Sequence, residues 1–123
     1  MKIAVSASGQ DLEAQIDQRF GRCDYFLIID TDTMSMEAFP NDTRNQTSGA
    51  GVQAAGFVID KGAKAVLTGS CGPKAMDVFN AQNIPVYTGH AGYVRQAVET
   101  FKNNPSDTAG SPSTGQGQGP VGG

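Results

Sequence analysis

Histidine occurs once in this chain, at position 90, and cysteine twice, at positions 23 and 71. A single imidazole and no Ser-His-Asp set leave the chain without evident acid–base machinery of its own. There is no Cys-x-x-Cys, and zinc or iron–sulfur signatures would need about four close-set ligands. A disulfide between two distant thiols is not expected in the cytoplasm, where thiols stay reduced. The Gly-x-x-x-x-Gly-Lys-Ser/Thr loop and a full dinucleotide fingerprint are also missing. Basic residues are few, with 9 Lys+Arg against 12 Asp+Glu and a net charge of -3. That balance argues against a nucleic-acid surface. No apolar run approaches the roughly 20 residues needed to span a bilayer. The opening Met1-Lys2-Ile3-Ala4-Val5-Ser6-Ala7 reads as a first strand rather than a secretory segment. The expectation is a cytoplasmic protein of one compact domain.

Against these absences stand three glycine-bearing junctions. They read Arg19-Phe20-Gly21-Arg22-Cys23, Gly49-Ala50-Gly51-Val52-Gln53-Ala54-Ala55 and Gly69-Ser70-Cys71-Gly72-Pro73. The second and third each open a helical pattern, so each can aim unpaired backbone N–H groups at a bound anion. The first adds two arginines. Together they favour a binder of something anionic.

Apolar runs and glycine punctuation alternate along the chain in an α/β manner. Ile3 to Ala7 is a first strand, and Ser8 to Ile16 a surface loop. The continuous run Tyr25-Phe26-Leu27-Ile28-Ile29-Asp30 predicts a central strand buried on both faces. A turn at Thr31-Asp32-Thr33 returns it to an antiparallel partner over Met34 to Phe39, ended by Pro40. Residues 41–48 hold no apolar side chain and predict an exposed, mobile loop. Ser48 is a candidate cap for the next helix, with Val52, Ala55, Phe57 and Ile59 on its buried face and Gly62 as its stop. Ala65 to Thr68 is a short strand. Gly72-Pro73 opens a helix, with proline near N1 where its missing N–H costs nothing. Ile84 to Tyr87 is a last strand, and its proline suggests an edge or a strand start. A helix over Tyr93 to Asn103 puts Val94, Ala97, Val98 and Phe101 on one face. Residues 104–123 are Gly/Ser/Pro-rich and predict a disordered tail beyond a domain of residues 1–103.

The order strand, hairpin, helix, strand, helix, strand, helix predicts an α/β fold with a mixed sheet of about five strands flanked by helices. Ligands of open α/β sheets bind outside the carboxyl ends of the parallel strands. The junctions at 69–73 and 88–92 should both open there.

The three junctions, in this order and with this sheet between them, resemble the dinitrogenase iron–molybdenum cofactor biosynthesis family across about residues 1–103. The resemblance implies a ribonuclease-H-like fold and a non-enzymatic role in carrying or assembling metal–sulfur cofactors. The implied cargo is a molybdenum-containing metal–sulfide cluster of iron–molybdenum or molybdenum–copper type; the implied partners are cofactor-assembly or acceptor proteins. In its stand-alone size the chain is similar to the orange-protein branch, which holds a molybdenum–copper sulfide cluster. Many members of the family carry a histidine before the Gly-Ala-Gly helix. Here that segment is Asn45-Gln46-Thr47-Ser48.

Thiometallate clusters are polyanions with soft sulfide surfaces. Holding one without thiolate ligation takes positive potential, N–H donors and an apolar rim. Candidate binding residues are Arg19, Phe20, Gly21, Arg22 and Cys23, Gly49, Ala50 and Gly51, Cys71, Gly72 and Pro73, and His90. A helical turn would put Arg19 and Arg22 on one side; otherwise Arg19 pairs with an acid such as Asp17. Phe20 is a core residue or a platform for the ligand. Facing a helix N-terminus would lower the thiol pKa of Cys71 and make it a soft ligand. Cys23 is either a second donor or a small buried thiol, and His90 an exposed loop residue or a contact. Two other readings stay open: a phosphate or nucleotide site at the same helix ends, and a regulatory or protein-interaction module using the 41–48 loop and the tail. The loop acids Asp11, Glu13 and Asp17 form no carboxylate cluster suited to a nuclease, so fold analogy alone gives that activity no warrant.

Overall fold

Strand β1 (Lys2–Ala7) is buried from its second residue onward, which only a strand covered on both faces can be. The computed structural model describes residues 1–45 and 48–103. The expected tail and positions 46 and 47 of the polar loop lie outside the described residues.

After β1 the chain runs through a loop, a 3₁₀ turn (Phe20–Arg22), β2 (Tyr25–Asp30), β3 (Met36–Pro40) and helix α1 (Ala50–Asp60). It continues through β4 (Val66–Leu67), α2 (Pro73–Ala81), β5 (Val86–Tyr87) and α3 (Val94–Asn103). The strands form one mixed sheet in the order β3-β2-β1-β4-β5. β2 pairs antiparallel with both β1 and β3, whereas β4 runs parallel to β1 and β5. The apolar run of β2 therefore occupies an interior position, as its composition predicts. Pro40 lies in the edge strand β3, and Pro85 immediately precedes the other edge strand β5, so neither missing N–H breaks an interior ladder. Pro40 ends β3 from inside the strand, as its last residue paired with Tyr25, and the strand begins at Met36 rather than Met34.

Alternation along the strands sends side chains to two cores. Ala4, Phe26, Ile28, Val66 and Val86 meet α1 and α2 on one face. Ile3, Val5, Leu27, Ile29 and Leu67 meet α3 on the other, through Val94, Ala97, Val98 and Phe101. The expected face of α3 is thus the observed one. That of α1 is shifted: its buried residues are Ala50, Ala54, Ala55 and Val58, while Val52 stands 38% exposed. Phe57 and Ile59 pack at the margin of the core. Alanines face the sheet because α1 must also seat the 3₁₀ turn and α2 closely.

Two further expectations change. Ser48 is not the cap of α1; Gly49 is, in the left-handed region at φ 78°, with no side-chain cap. Only glycine takes that conformation without strain. Nor is the start of the polar loop exposed: Asn41 is 5% exposed and hydrogen-bonded into the body of the fold. Gly62, at φ 93°, ends α1 as expected, its N–H donating to the Ile59 carbonyl.

Candidate functional site

The three glycine junctions converge. The Phe20 N–H donates to the Ser70 carbonyl at 3.0 Å, and the Ser70 hydroxyl donates to the Gln18 carbonyl at 2.8 Å. This joins the first junction to the third along a parallel bridge between Arg19 and Ser70. Gly21 packs on the start of α1 so closely that a Cβ there would lie 2.9 Å from the Gly51 Cα. On its other side, a Cβ on Gly51 would meet the Ala75 Cβ of α2 at 3.4 Å. The N-termini of α1 and α2 are therefore adjacent, with the 3₁₀ turn packed against the first.

Between the two helix ends lies a shallow hollow of about 270 Å³, lined by Gly49, Gly51, Val52, Gly72, Pro73, Lys74 and Ala75. Neither helix has a side-chain cap, and neither carries an acidic residue in its first turn. The first-turn N–H groups of two helices thus lack the carboxylate or hydroxyl that commonly satisfies them. Lys74 adds a positive side chain, and the rest of the wall is small and apolar. The site has the field and donors for an anion, with walls that suit a poorly hydrated one. A larger hollow of about 490 Å³ lies beside Asp24, Tyr25, Asn41, Asp42 and Arg44, but its two carboxylates oppose an anion.

The structure sorts the predicted residues. Gly49, Gly51, Gly72 and Pro73 line the hollow, and Gly21 buttresses it. Ala50 is buried beneath it. Arg19 and Arg22 sit on the expected turn, with the Arg22 N–H donating to the Arg19 carbonyl at 3.3 Å. The Arg19 guanidinium pairs with Asp17 at 3.5 Å, while Arg22 Nη1 donates to the Arg44 carbonyl.

Phe20 and Cys23 take the buried alternatives expected for them, and Cys71 and His90 lie in hollows of their own. Phe20 is 1% exposed and packs against Phe26 and Phe79 at centroid distances of 5.1 and 5.5 Å, so it is core and not a platform. Cys23 is fully buried, its thiol donating to the Phe20 carbonyl at 3.3 Å, and burial pushes its pKa up to about 12. Cys71 is half-buried in a neighbouring hollow with Gly69, Ser70, Met76 and Thr88. Desolvation raises its thiol to about 11, the reverse of the lowering expected from a nearby helix end. His90 is 4% exposed and lines a separate hollow with Gln96, Ala97 and Thr100 of α3, across the sheet from α1 and α2. Its loop reaches toward the junctions through backbone groups: the Gly89 N–H donates to the Gly69 carbonyl, the His90 N–H to the Thr68 carbonyl, and the His90 carbonyl accepts from Gln18 Nε2 at 3.4 Å. Among the described residues no three His, Cys, Asp or Glu side chains group as metal ligands.

Val52, expected on the buried face of α1, and Lys74 line the hollow as well. The signal for Val52 was an apolar residue in a glycine-rich first turn whose small neighbours already filled the core face. That for Lys74 was its place in the first turn of the Gly-Pro helix.

The sequence profile of the dinitrogenase iron–molybdenum cofactor family matches residues 1–104. The chain belongs to this family. Its fold is similar to the apo form of the orange protein from Desulfovibrio gigas. The two are 38% identical over 91% of this chain and 95% of that one, with a TM-score of 0.83. It is also similar to a putative NifB protein from Thermotoga, at 26% identity over 83% of this chain and 87% of that one, with a TM-score of 0.72. Among curated protein sequences none matches. The family is a non-catalytic, cofactor-associated one, so the chain is not an enzyme. Among the described residues no helix is long and apolar enough to cross a membrane.

Proposed function

We propose that this member of the iron–molybdenum cofactor family is a carrier that holds an anionic molybdenum-containing metal–sulfide cluster noncovalently in the hollow between α1 and α2. The observation that carries this reading is the pairing of two uncapped helix N-termini around one hollow whose lining holds no carboxylate. Such ends interact with an anion by roughly 0.3–1 kcal/mol each when exposed, and more when partly buried. Sulfide surfaces are soft and weakly hydrated, so the apolar wall of Val52, Pro73 and Ala75 suits them better than it suits phosphate. Arg19 and Arg22 close over the cargo from the adjoining turn, exchanging weak surface contacts for charge-assisted ones. Cys71 and the backbone of the 69–73 junction border the same edge. His90 and Cys23 act at most through the loops that hold the cradle.

Likeness to the orange protein favours the molybdenum–copper form of the cluster over an iron–molybdenum precursor. The strand order β3-β2-β1-β4-β5 supports a ribonuclease-H-like assignment, with residues 1–103 as the carrier domain. The carrier works in the cytoplasm, and its macromolecular partners are assembly or acceptor proteins for the cluster.

The test is metal and acid-labile sulfide analysis, with a visible spectrum, on protein incubated with thiomolybdate with and without copper. Stoichiometric molybdenum and sulfide with sulfide-to-metal charge-transfer bands is the expected result. Copper dependence of the bands distinguishes the molybdenum–copper form. Protein that retains no metal under either condition overturns the carrier reading in this form.

A further inference from the structure

Asn41 is the first residue after β3, and its side chain is enclosed. Nδ2 donates to the Gly21 carbonyl at 3.1 Å and to the Cys23 carbonyl at 3.0 Å, the two carbonyls flanking Arg22. Oδ1 accepts the Thr43 N–H at 3.0 Å and the Thr43 hydroxyl at 2.6 Å. The single proton of that hydroxyl is shared with the Ala50 carbonyl at the start of α1 as the long, 3.4 Å branch of a bifurcated bond. The Asn41 N–H donates to the Asp24 carbonyl at 2.9 Å. Two carbonyls on one side and an N–H on the other leave the amide a single sensible orientation. One buried side chain thus ties the turn bearing Arg19 and Arg22 to its own loop and, through Thr43, to the first residue of α1. The Arg22 guanidinium donates back into the same loop at the Arg44 carbonyl, and Arg44 pairs with Asp24.

We propose that Asn41 is a positioning residue for the cradle: it clamps the 3₁₀ turn against the N-terminus of α1 and sets the spacing of the anion-binding groups before cargo arrives. The proposal rests on the reading of the α1–α2 hollow as the thiometallate site. A fully satisfied buried network rigidifies what it joins, and donors fixed in advance bind without an ordering cost. Nothing else in the 41–45 loop needs burial; its remaining residues are polar and at least partly exposed.

The test uses full-length Asn41→Asp, which keeps the acceptor for Thr43 but sets a carboxylate oxygen against two carbonyls, and Thr43→Val, which removes only the hydroxyl. Tetrathiomolybdate affinity is measured beside amide hydrogen exchange of the metal-free protein. For N41D the expected result is an affinity loss of about tenfold or more, from the lost pair of buried hydrogen bonds. Faster exchange is expected at residues 21–23 and 50–52, with α3 unchanged. T43V should shift both readouts the same way by less, and it carries the test if N41D does not fold. Affinity within about twofold of wild type despite faster local exchange would overturn the clamp. So would an affinity loss accompanied by faster exchange everywhere, α3 included, since that is general destabilisation. Wild-type protein that binds no tetrathiomolybdate overturns the carrier reading itself; wild-type binding with an unaltered N41D overturns the clamp alone.

Discussion

Gly21 and Gly51 touch backbone to backbone: a Cβ on Gly21 would sit 2.9 Å from the Gly51 Cα and 3.0 Å from its nitrogen. Neither neighbour is the flexible end of a side chain, so Gly21→Ala must push the 3₁₀ turn off α1. Overpacking of this kind costs about 1–3 kcal/mol. Gly56, in the same helix, is exposed and would meet nothing within 4 Å. Gly56→Ala should instead stabilise by roughly 0.5–1 kcal/mol through helix propensity. Urea titration of the two variants should therefore show midpoints moving in opposite directions; a Gly21→Ala midpoint at or above wild type would mean the contact is not tight.

Replacing Arg19 and Arg22 together by alanine separates binding from folding. The Arg19 side chain is 67% exposed, although Asp17 is only 13% exposed, and their separation is a long 3.5 Å, so the loss of stability should be about 1 kcal/mol. Retention of a thiomolybdate-loaded cluster should fall about tenfold or more, because charge-assisted contacts to the cargo are lost. Gel filtration of the loaded double variant with molybdenum analysis reads this directly. Equal retention would remove the arginines from the cradle.

The stability profile should fall away on both sides of neutrality. Burial raises Cys23 to about 12 and Cys71 to about 11, against an ordinary thiol value of 9.0. Below pH 9 both states hold these protons and stability is fully present. From pH 9 toward 11–12 the unfolded chain loses them first, so stability declines as pH rises. Desolvation lowers His90 below its ordinary 6.5, so its contribution is present above pH 6.5 and is lost as pH falls below it. Melting curves under reducing conditions should lose part of the alkaline slope in Cys23→Ala and part of the acid slope in His90→Gln. Slopes unchanged in both variants would contradict the burial argument.

Much of this fold is legible in the residues because local pattern and burial agree. The run Tyr25–Asp30 has no polar face and can only be an interior strand, and the heptad-like spacing of Val94, Ala97, Val98 and Phe101 can only face one way. The face of α1 is not legible in the same way, because alanine carries little periodic signal and close packing by the 3₁₀ turn and α2 decides which small residues go inward. The glycine junctions are plain in the sequence, but their contacts join Gly21 to Gly51, 30 residues on, and Gly51 to Ala75, 24 further, and leave no local trace. Asn41 and its polar neighbours have the composition of exposed loop; the burial of Asn41 depends on carbonyls of a turn some 20 residues earlier. At Cys71 the motif shows the helix start but not the burial of the thiol, and it is burial that raises its pKa.

If the hollow between α1 and α2 holds a soft polyanion on helix-end donors, as proposed, a charge placed at Val52 must disturb it. Val52 lines the hollow, is 38% exposed and lies in the first turn of α1. A carboxylate there favours the helix by about 0.3–1 kcal/mol but repels an anion in the site. The measurement is tetrathiomolybdate affinity of Val52→Asp beside the uncharged control Val52→Asn, with melting temperatures of both. The expected result is a melting temperature for V52D at or above that of V52N, with affinity lower by about tenfold or more. Equal or tighter binding by V52D would contradict the claim and place the cluster elsewhere on the protein.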